Sequence, residues 1–243
     1  MPRTGRAPDE QRTITIEPGF VRTADGSALF SIGETRVICT ASVDPNVPKW
    51  MEGSGKGWVT AEYAMLPAST GQRKSRDIKS GKQDGRSVEI QRLIGRSLRG
   101  VVDMHKLGER GVTVDCDVLQ ADGGTRCAAI TGGYVALHLA LQKLVDDGTL
   151  PALPLNSSVA AISAGIVEGE ALLDLEYIED SAADVDANVV MTGDDGLIEV
   201  QATAERTPLS KASLDNLLEL AAKGIGELRA AQAVAVGGPL PGV

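Results

Sequence analysis

The chain has 243 residues, of which 42% are hydrophobic, and its 33 acidic and 24 basic side chains give a formal net charge of -9. This length and composition predict an ordinary globular protein with a substantial core. The first residues lack the apolar segment of a signal peptide, and the longest apolar stretch, 159–167, is far too short to span a bilayer, so we expect a cytoplasmic protein. Three cysteines without metal-ligand spacing and two histidines away from any candidate nucleophile argue against zinc sites, disulfides and Ser/His or Cys/His hydrolases.

The charges are distributed unevenly along the chain. Between Thr70 and Arg110, eleven basic side chains outnumber five acidic ones, whereas residues 168–205 include twelve acidic side chains and no basic one. A basic strip beside an acidic one can bind a polyanion and, separately, a divalent cation. The alternative is that both segments are simply solvated surfaces.

The N-terminal third alternates apolar and polar residues, which predicts strands at 12–17, 27–32, 35–43 and 57–66, separated by Gly/Asp/Pro turns. A loop is predicted from Pro67 to Asp84. Its composition is that of a mobile basic arm, with the cationic residues Arg73, Lys74, Arg76, Lys79 and Lys82.

A helix is predicted from Arg86 to about Lys106, because apolar residues recur there with helical spacing. Arg92, Arg96 and Arg99 fall on one face of this helix. These arginines either contact a polyanion or pair within the helix with the acidic residues Glu89 and Asp103.

Residues 115–126, DCDVLQADGGTR, join a predicted strand at 111–119 to a predicted long helix at 127–145. Gly123 and Gly124 allow the backbone to approach a ligand closely, Thr125 offers a hydroxyl, and Arg126 offers a planar set of donors. The first amides of the helix point toward the same place. This corner predicts a phosphate site, and the alternative is an ordinary capped helix after a tight turn.

The second half of the chain predicts strands at 158–167, 171–177, 187–191 and 196–203, followed by a helix at 210–231. This order predicts an α+β protein in which helices pack on mixed sheets. No linker divides the chain, so we expect one domain over residues 1–243, with flexible tails at 1–10 and 233–243.

Four carboxylates lie between Glu179 and Asp186. Oxygen ligands of this kind suit Mg²⁺ or Mn²⁺. Asp184 and Asp186 would share a face of an extended segment, and Asp180 could approach that face through the turn. An exposed acidic turn is the alternative interpretation.

Four motifs, at 57–63 (GWVTAEY), 89–96 (EIQRLIGR), 115–126 and 174–183 (DLEYIEDSAA), together resemble the ribonuclease PH family of phosphate-dependent 3′ exoribonucleases, which trim transfer RNA. The likeness runs in one register from about Gly5 to Gln232. It implies a single-domain α+β fold related to domain 2 of ribosomal protein S5. It also implies a homo-hexameric ring built as a trimer of dimers.

The resemblance also implies roles for individual residues. The phosphate site maps onto Arg86, Gly124, Thr125 and Arg126, and a Mg²⁺ or Mn²⁺ site maps onto Asp180 and Asp186. Arg86, Arg126, Asp180 and Asp186 together would form the catalytic set. RNA contacts are expected from Arg73 and Arg76 in the basic loop and from Arg92 and Arg96 on the helix. Ala68 departs from the family pattern, which often has arginine there, so we expect the grip on transfer RNA either to be weaker or to be redistributed to Arg73, Lys74 and Arg76.

The implied reaction is phosphorolysis of RNA from its 3′ end. Inorganic phosphate attacks the last phosphodiester and a nucleoside 5′-diphosphate leaves, so no protein nucleophile is required. The reverse reaction adds nucleotides to a 3′ end. Two alternatives stay open at this point: an inactive RNA-binding subunit of a ring, and a hydrolytic nuclease that releases monophosphates.

Overall fold

The alternating N-terminal segments form one five-stranded sheet. The computed structural model describes residues 3, 5–76, 81–206 and 208–242; Lys79 of the predicted basic arm and residues 1, 2, 4 and 243 of the predicted tails lie outside this part. The strand order is β1-β2-β3-β5-β4, and only β4 and β5 pair in parallel. The strands are β1 (Ile14–Pro18), β2 (Gly26–Ile32), β3 (Thr35–Asp44), β4 (Trp58–Met65) and β5 (Gly111–Gln120).

A second sheet has four antiparallel strands in the order β7-β6-β8-β9. Its strands are β6 (Val159–Val167), β7 (Glu170–Leu173), β8 (Val185–Thr192) and β9 (Leu197–Ala204). The α-helices are α1 (Gly85–Arg99), α2 (Met104–Leu107), α3 (Thr125–Asp146), α4 (Tyr177–Ala182) and α5 (Lys211–Val236). The predicted α+β class with helices on mixed sheets is confirmed.

Helix α3 lies at the centre of the molecule. It packs against β2, β3 and β5 of the first sheet and against β6 of the second. The helix is long and apolar enough to cross a membrane, since an 18-residue stretch of it has a mean hydropathy of 1.2. However, 72% of that stretch is buried inside the protein. Core packing between the two sheets therefore accounts for its composition. The largest apolar cluster takes side chains from both sheets.

The predicted helix over 86–106 is interrupted at residues 100–103, so it is wrong as one continuous helix. Helix α1 begins where the Asp84 side chain accepts a hydrogen bond from Arg86 N, and it ends at Arg99. Asp103 then caps the separate helix α2 by accepting from the backbone N–H groups of His105 and Lys106. A capping aspartate favours a new helix start over continuation of the first helix.

The predicted strand at 171–177 is also too long. Strand β7 ends at Leu173 because Asp174 takes a left-handed backbone conformation with φ of 52°. The acidic segment that follows begins with helix α4, where Glu176 and Glu179 form a capping box. At the other end of the chain, α5 continues to Val236, so the first residues of the predicted 233–243 tail are helical. The flexibility of both tails stays a prediction.

Candidate active site

The corner between β5 and α3 has the backbone that its two glycines predict. Gly123 and Gly124 have φ of 76° and 65°, in the left-handed region that glycine adopts readily. Gly124 is the N-cap of α3 and has no side chain to occupy the first amides of the helix. These amides and the positive end of the helix dipole suit an anion.

Thr125 is the first residue of α3, and its side chain is oriented by a tyrosine. The Tyr63 hydroxyl, at the end of the inward face of β4, lies 2.9 Å from Thr125 Oγ1. When Tyr63 donates this bond, the threonine O–H is left to donate elsewhere. Burial raises the pKa of Tyr63, although the charges of Arg86 and Arg126 act in the opposite direction. Tyr63 is therefore a neutral donor at physiological pH.

Asp180 and Asp186 come together from helix α4 and strand β8. Burial is the largest effect on each carboxyl and raises its pKa, and the charge of Asp180 raises that of Asp186 further. Asp186 acts on Asp180 in the opposite direction to burial and lowers the pKa of Asp180. Both are partly buried, so the interpretation of these two residues as an exposed acidic turn is wrong.

Arg86 and Arg126 lie beside this carboxylate pair. The charge of each guanidinium lowers the pKa of both aspartates, against the effect of burial. Arg126 Nη1 also donates to Gln201 Oε1 on β9 at 2.9 Å. The structure thus brings the four predicted catalytic residues to one place, at the N-terminus of α3. Asp184, by contrast, forms an ion pair with Arg206, with 3.3 Å between Oδ1 and Nη1.

The residues predicted to contact RNA fall in two places. Arg92 and Arg96 line a groove between α1 and β9. This groove shares Glu89 and Gln201 with a cavity of about 430 Å³ that contains Arg126 and Asp186. The two arginines therefore lie along a continuous surface that leads to the carboxylate pair.

The alternative prediction, that the arginines of α1 pair with acidic residues of the same helix, is wrong for Arg96 and Arg99. Arg96 forms an ion pair with Glu199 on β9. Arg99 donates to Val59 O at 2.9 Å and stacks on the Trp58 ring, with its guanidinium carbon 4.6 Å from the ring centroid. These contacts tie α1 to both sheets.

In the described part of the basic loop, residues 74–76 and 81–83 lie over the outer face of the first sheet. Arg76 lines a cavity of about 540 Å³ together with Glu62, Asp115 and Asp117. Burial raises the pKa of Asp117, and the Arg76 charge lowers it. Arg73 is exposed on the same loop.

Sequence reasoning assigned no role to three polar residues of this site. Tyr63 and Asn188 interrupt the apolar inward faces of their strands, which was the available signal. Asn188 Nδ2 lies 3.5 Å from Asp186 Oδ1. Gln201 binds Arg126 and also donates to Glu89 Oε1 at 3.3 Å, but nothing in the pattern of β9 distinguishes it from a surface glutamine.

Among the described residues, no group of three or more His, Cys, Asp and Glu side chains is placed to hold a metal ion. The Asp180/Asp186 pair supplies only two such ligands. Any ion bound there would have to complete its shell with water or substrate oxygens, as Mg²⁺ commonly does.

Family models and curated relatives agree on one family. Residues 10–143 match domain 1 of the 3′ exoribonuclease family and residues 157–224 match its domain 2. The chain is 57% identical to ribonuclease PH of Syntrophomonas wolfei over 96% of its length and 97% of the relative's. It is 59% identical to the enzyme of Neisseria gonorrhoeae over 93% of each chain, and 57% identical to that of Roseobacter denitrificans over 97% of this chain and 99% of the relative.

Solved structures with the same fold are more distant in sequence. Rice Rrp46 covers 96% of this chain and 98% of its own with a TM-score of 0.77 at 20% identity. The Archaeoglobus fulgidus exosome, solved with RNA bound to its active site, covers 93% of this chain and 90% of its own, with a TM-score of 0.77 at 24% identity. At these identities the two structures establish the fold alone. The matches over nearly the whole length of the curated relatives establish that the chain belongs to the ribonuclease PH family of 3′ exoribonucleases.

Proposed function

We propose that the corner at the N-terminus of α3 holds the inorganic phosphate that attacks RNA in this exoribonuclease. The observation that carries the proposal is the convergence of Arg86 and Arg126 beside Asp180 and Asp186. Two guanidinium groups suit a doubly charged anion, and two carboxylates at the same point suit a cation.

The attack is an exchange of one P–O bond for another. An oxygen of inorganic phosphate bonds to the phosphorus of the last phosphodiester, and the bond from that phosphorus to the 3′ oxygen of the penultimate nucleotide breaks. A nucleoside 5′-diphosphate leaves, and the proton of the attacking hydrogen phosphate ends on the 3′ oxygen, so the shortened RNA has a 3′ hydroxyl. Because both bonds are phosphoryl linkages, the same site adds nucleotides from diphosphates when phosphate is scarce.

The chain's own residues overcome the repulsion between two anions. Arg86 and Arg126 offset the charge of the attacking phosphate, and the Thr125 hydroxyl and the first amides of α3 fix its orientation. The Tyr63 hydrogen bond holds Thr125 in place for this task. These preorganised donors lower the barrier without a covalent enzyme intermediate.

Asp180 and Asp186 have the chemistry of a divalent metal site. Both offer hard oxygen ligands, and both have a pKa that is raised mainly by burial; at Asp186 the negative charge of Asp180 raises the pKa further. Mg²⁺ or Mn²⁺ bound by this pair would stabilise the charge that develops on the transferring phosphoryl group. Asn188 orients Asp186 from the neighbouring position on β8.

The RNA is proposed to approach along the groove lined by Arg92 and Arg96. Arg73 and Arg76 would contact the body of a transfer RNA farther from the cleaved bond. The ring-shaped homo-hexamer of the family is proposed for this chain, as is its action on transfer RNA precursors in the cytoplasm.

The test is to incubate the purified protein and Mg²⁺ with a 3′-extended transfer RNA, with and without inorganic phosphate, and to identify the released nucleotide by chromatography. Nucleoside diphosphates that appear only with phosphate support the proposal. Monophosphates released without phosphate would indicate hydrolysis. Tight RNA binding with no release would indicate an inactive ring subunit.

A further inference from the structure

Arg12, just before β1, connects the phosphate corner to the turn that precedes helix α4. Its side chain is only 7% exposed. Its backbone N–H and Nε each donate to Asp174 Oδ2 at 2.8 Å, and Nη2 donates to Asp174 Oδ1 at 2.6 Å. The remaining nitrogen, Nη1, donates to the backbone carbonyl of Asp122, directly before Gly123. One buried side chain thus binds both segments of the site.

Asp174 depends on this arginine for its conformation and charge. Its φ of 52° is unusual for a residue other than glycine and persists where surrounding contacts impose it. Burial is the largest effect on the Asp174 carboxyl and would raise its pKa, but the hydrogen bonds and charge of Arg12, with a smaller effect of the Arg6 charge, outweigh it, so the pKa is lowered. A carboxylate buried to this degree requires such a partner.

The segments that Arg12 joins also contact each other directly. The carboxylate of Asp122 accepts a hydrogen bond from Tyr177 N, the first residue of α4, at 3.3 Å. A Cβ at Gly123 would lie 2.4 Å from Leu175 O and 3.0 Å from Tyr177 N. The phosphate corner and the start of α4 are therefore in van der Waals contact, and glycine is required at their closest approach.

Arg3 holds the next part of helix α4 in a similar way. Its Nε and Nη2 donate to the two carboxylate oxygens of Glu179 at 2.6 and 2.8 Å, and Nη2 also donates to Leu173 O at 2.8 Å. Glu179 is buried and directly precedes Asp180. Arg3 and Arg12 together fix α4 at both the turn before it and the residue next to the metal-site carboxylate.

We propose that Arg12, supported by Arg3, is a positioning residue for phosphorolysis, which sets the distance between the phosphate corner and Asp180. This inference rests on the proposed function of the site. Arg12 donates to Asp122, Asp174 and Leu175 and acts on the reaction only through the segments that hold them. Because a displacement of about 1 Å in a catalytic group can cost about 100-fold in rate, loosening this connection should be costly.

The first test replaces Arg12 with lysine, which keeps the charge but not the planar set of donors. Phosphorolysis is measured with varied phosphate at saturating RNA, and with varied RNA at saturating phosphate. We expect kcat/KM for phosphate to fall about 100-fold, while KM for RNA changes by less than about twofold. Arg110→Lys is the matched control, because Arg110 also donates to a backbone carbonyl, Leu107 O at 3.0 Å, but lies at the opposite end of β5.

A second test uses chemical rescue of Arg12→Ala. Guanidinium ion at low concentration should raise kcat/KM for phosphate of the variant at least about tenfold, because the ion can refill the space between Asp174 and the Asp122 carbonyl. Urea at the same concentration has a similar shape but no charge, and should restore nothing. If Arg12 only filled space, both solutes would restore activity to the same extent.

A third measurement separates positioning from activity. Inorganic phosphate should raise the Tm of the wild-type protein, and this rise should shrink in folded Arg12→Lys. Wild-type kcat/KM for phosphate in Arg12→Lys, or an unchanged phosphate-dependent rise in Tm, would overturn the inference. If Arg12→Lys does not fold, Arg3→Lys replaces it, with an expected loss of about tenfold. A wild-type protein that releases no diphosphate would instead contradict the proposed function, while the Tm comparison would still test the positioning.

Discussion

Replacement of Arg126 by alanine should remove two effects at once. The first is a donor to the attacking phosphate, and loss of one such donor costs about 100- to 1,000-fold in kcat, or about 2.7–4 kcal/mol. The second is electrostatic, because the Arg126 charge is the strongest influence that lowers the pKa of Asp180. Without this charge, both aspartates should keep their protons up to a higher pH. As pH is lowered, metal binding and activity should therefore disappear earlier, at a higher pH than in the wild type.

The assay is release of nucleoside diphosphate at subsaturating phosphate, measured across a range of pH with excess Mg²⁺. We expect the 100- to 1,000-fold loss at the pH optimum, in the range cited for one transition-state donor, and a shift of the acid limb toward higher pH. Arg22→Ala is the control, because Arg22 is exposed in the turn between β1 and β2. Wild-type turnover in Arg126→Ala, or a large loss with an unmoved acid limb, would refute this account of the residue.

Three further predictions concern the carboxylate pair, the corner and the core. Asp180→Asn should abolish detectable activity yet stabilise the metal-free protein at neutral pH. The folded pKa values of Asp180 and Asp186 lie above their ordinary values, so the free energy of unfolding falls as pH rises through them. The substitution removes the Asp180 part of that loss. A gain of about 1 kcal/mol would appear as a rise of about 2–4 °C in Tm by calorimetry. Gly123→Ala should destabilise the protein by at least about 1–2 kcal/mol in urea unfolding, because of its φ of 76° and the clash with Leu175 O. Leu137→Ala in the buried centre of α3 should cost about 2–5 kcal/mol of stability while KM for phosphate in the remaining folded enzyme is unchanged.

The pattern of apolar residues was sufficient for most of the fold because it reports local structure. Strand β5, helix α3 and the corner between them lie within a residue or two of their predicted bounds. The errors occur where a polar side chain ends an element that the pattern alone would continue. Asp103 begins a new helix inside the predicted one, and Asp174 turns the chain away from β7. Both depend on hydrogen bonds that periodicity does not encode.

The site was predictable to the extent that its chemistry is local or shared with the family. Gly123, Gly124, Thr125 and Arg126 stand together at a predicted helix start, a pattern typical of an anion site but also of an ordinary capped helix, and the resemblance to the family favours the first. Gln201 and Arg12 give no comparable signal, because their partners come from distant parts of the chain. Arg12 and Asp174, for example, are separated by 162 residues. Only the folded arrangement of the two sheets brings such pairs together.

The acidic segment at 168–205 illustrates how the fold resolves an apparent conflict. Its twelve acidic side chains should repel RNA, and the segment contains no basic residue of its own. Arginines from elsewhere in the chain pair with several of them: Glu179 with Arg3, Asp174 with Arg12, Glu199 with Arg96 and Asp184 with Arg206. Asp180 and Asp186 differ, because Arg86 and Arg126 influence them without overcoming the effect of burial on their pKa. Negative charge that no arginine fully offsets is thus concentrated at the proposed divalent-cation site, and a protein with a net charge of -9 can present a local surface suited to an RNA 3′ end.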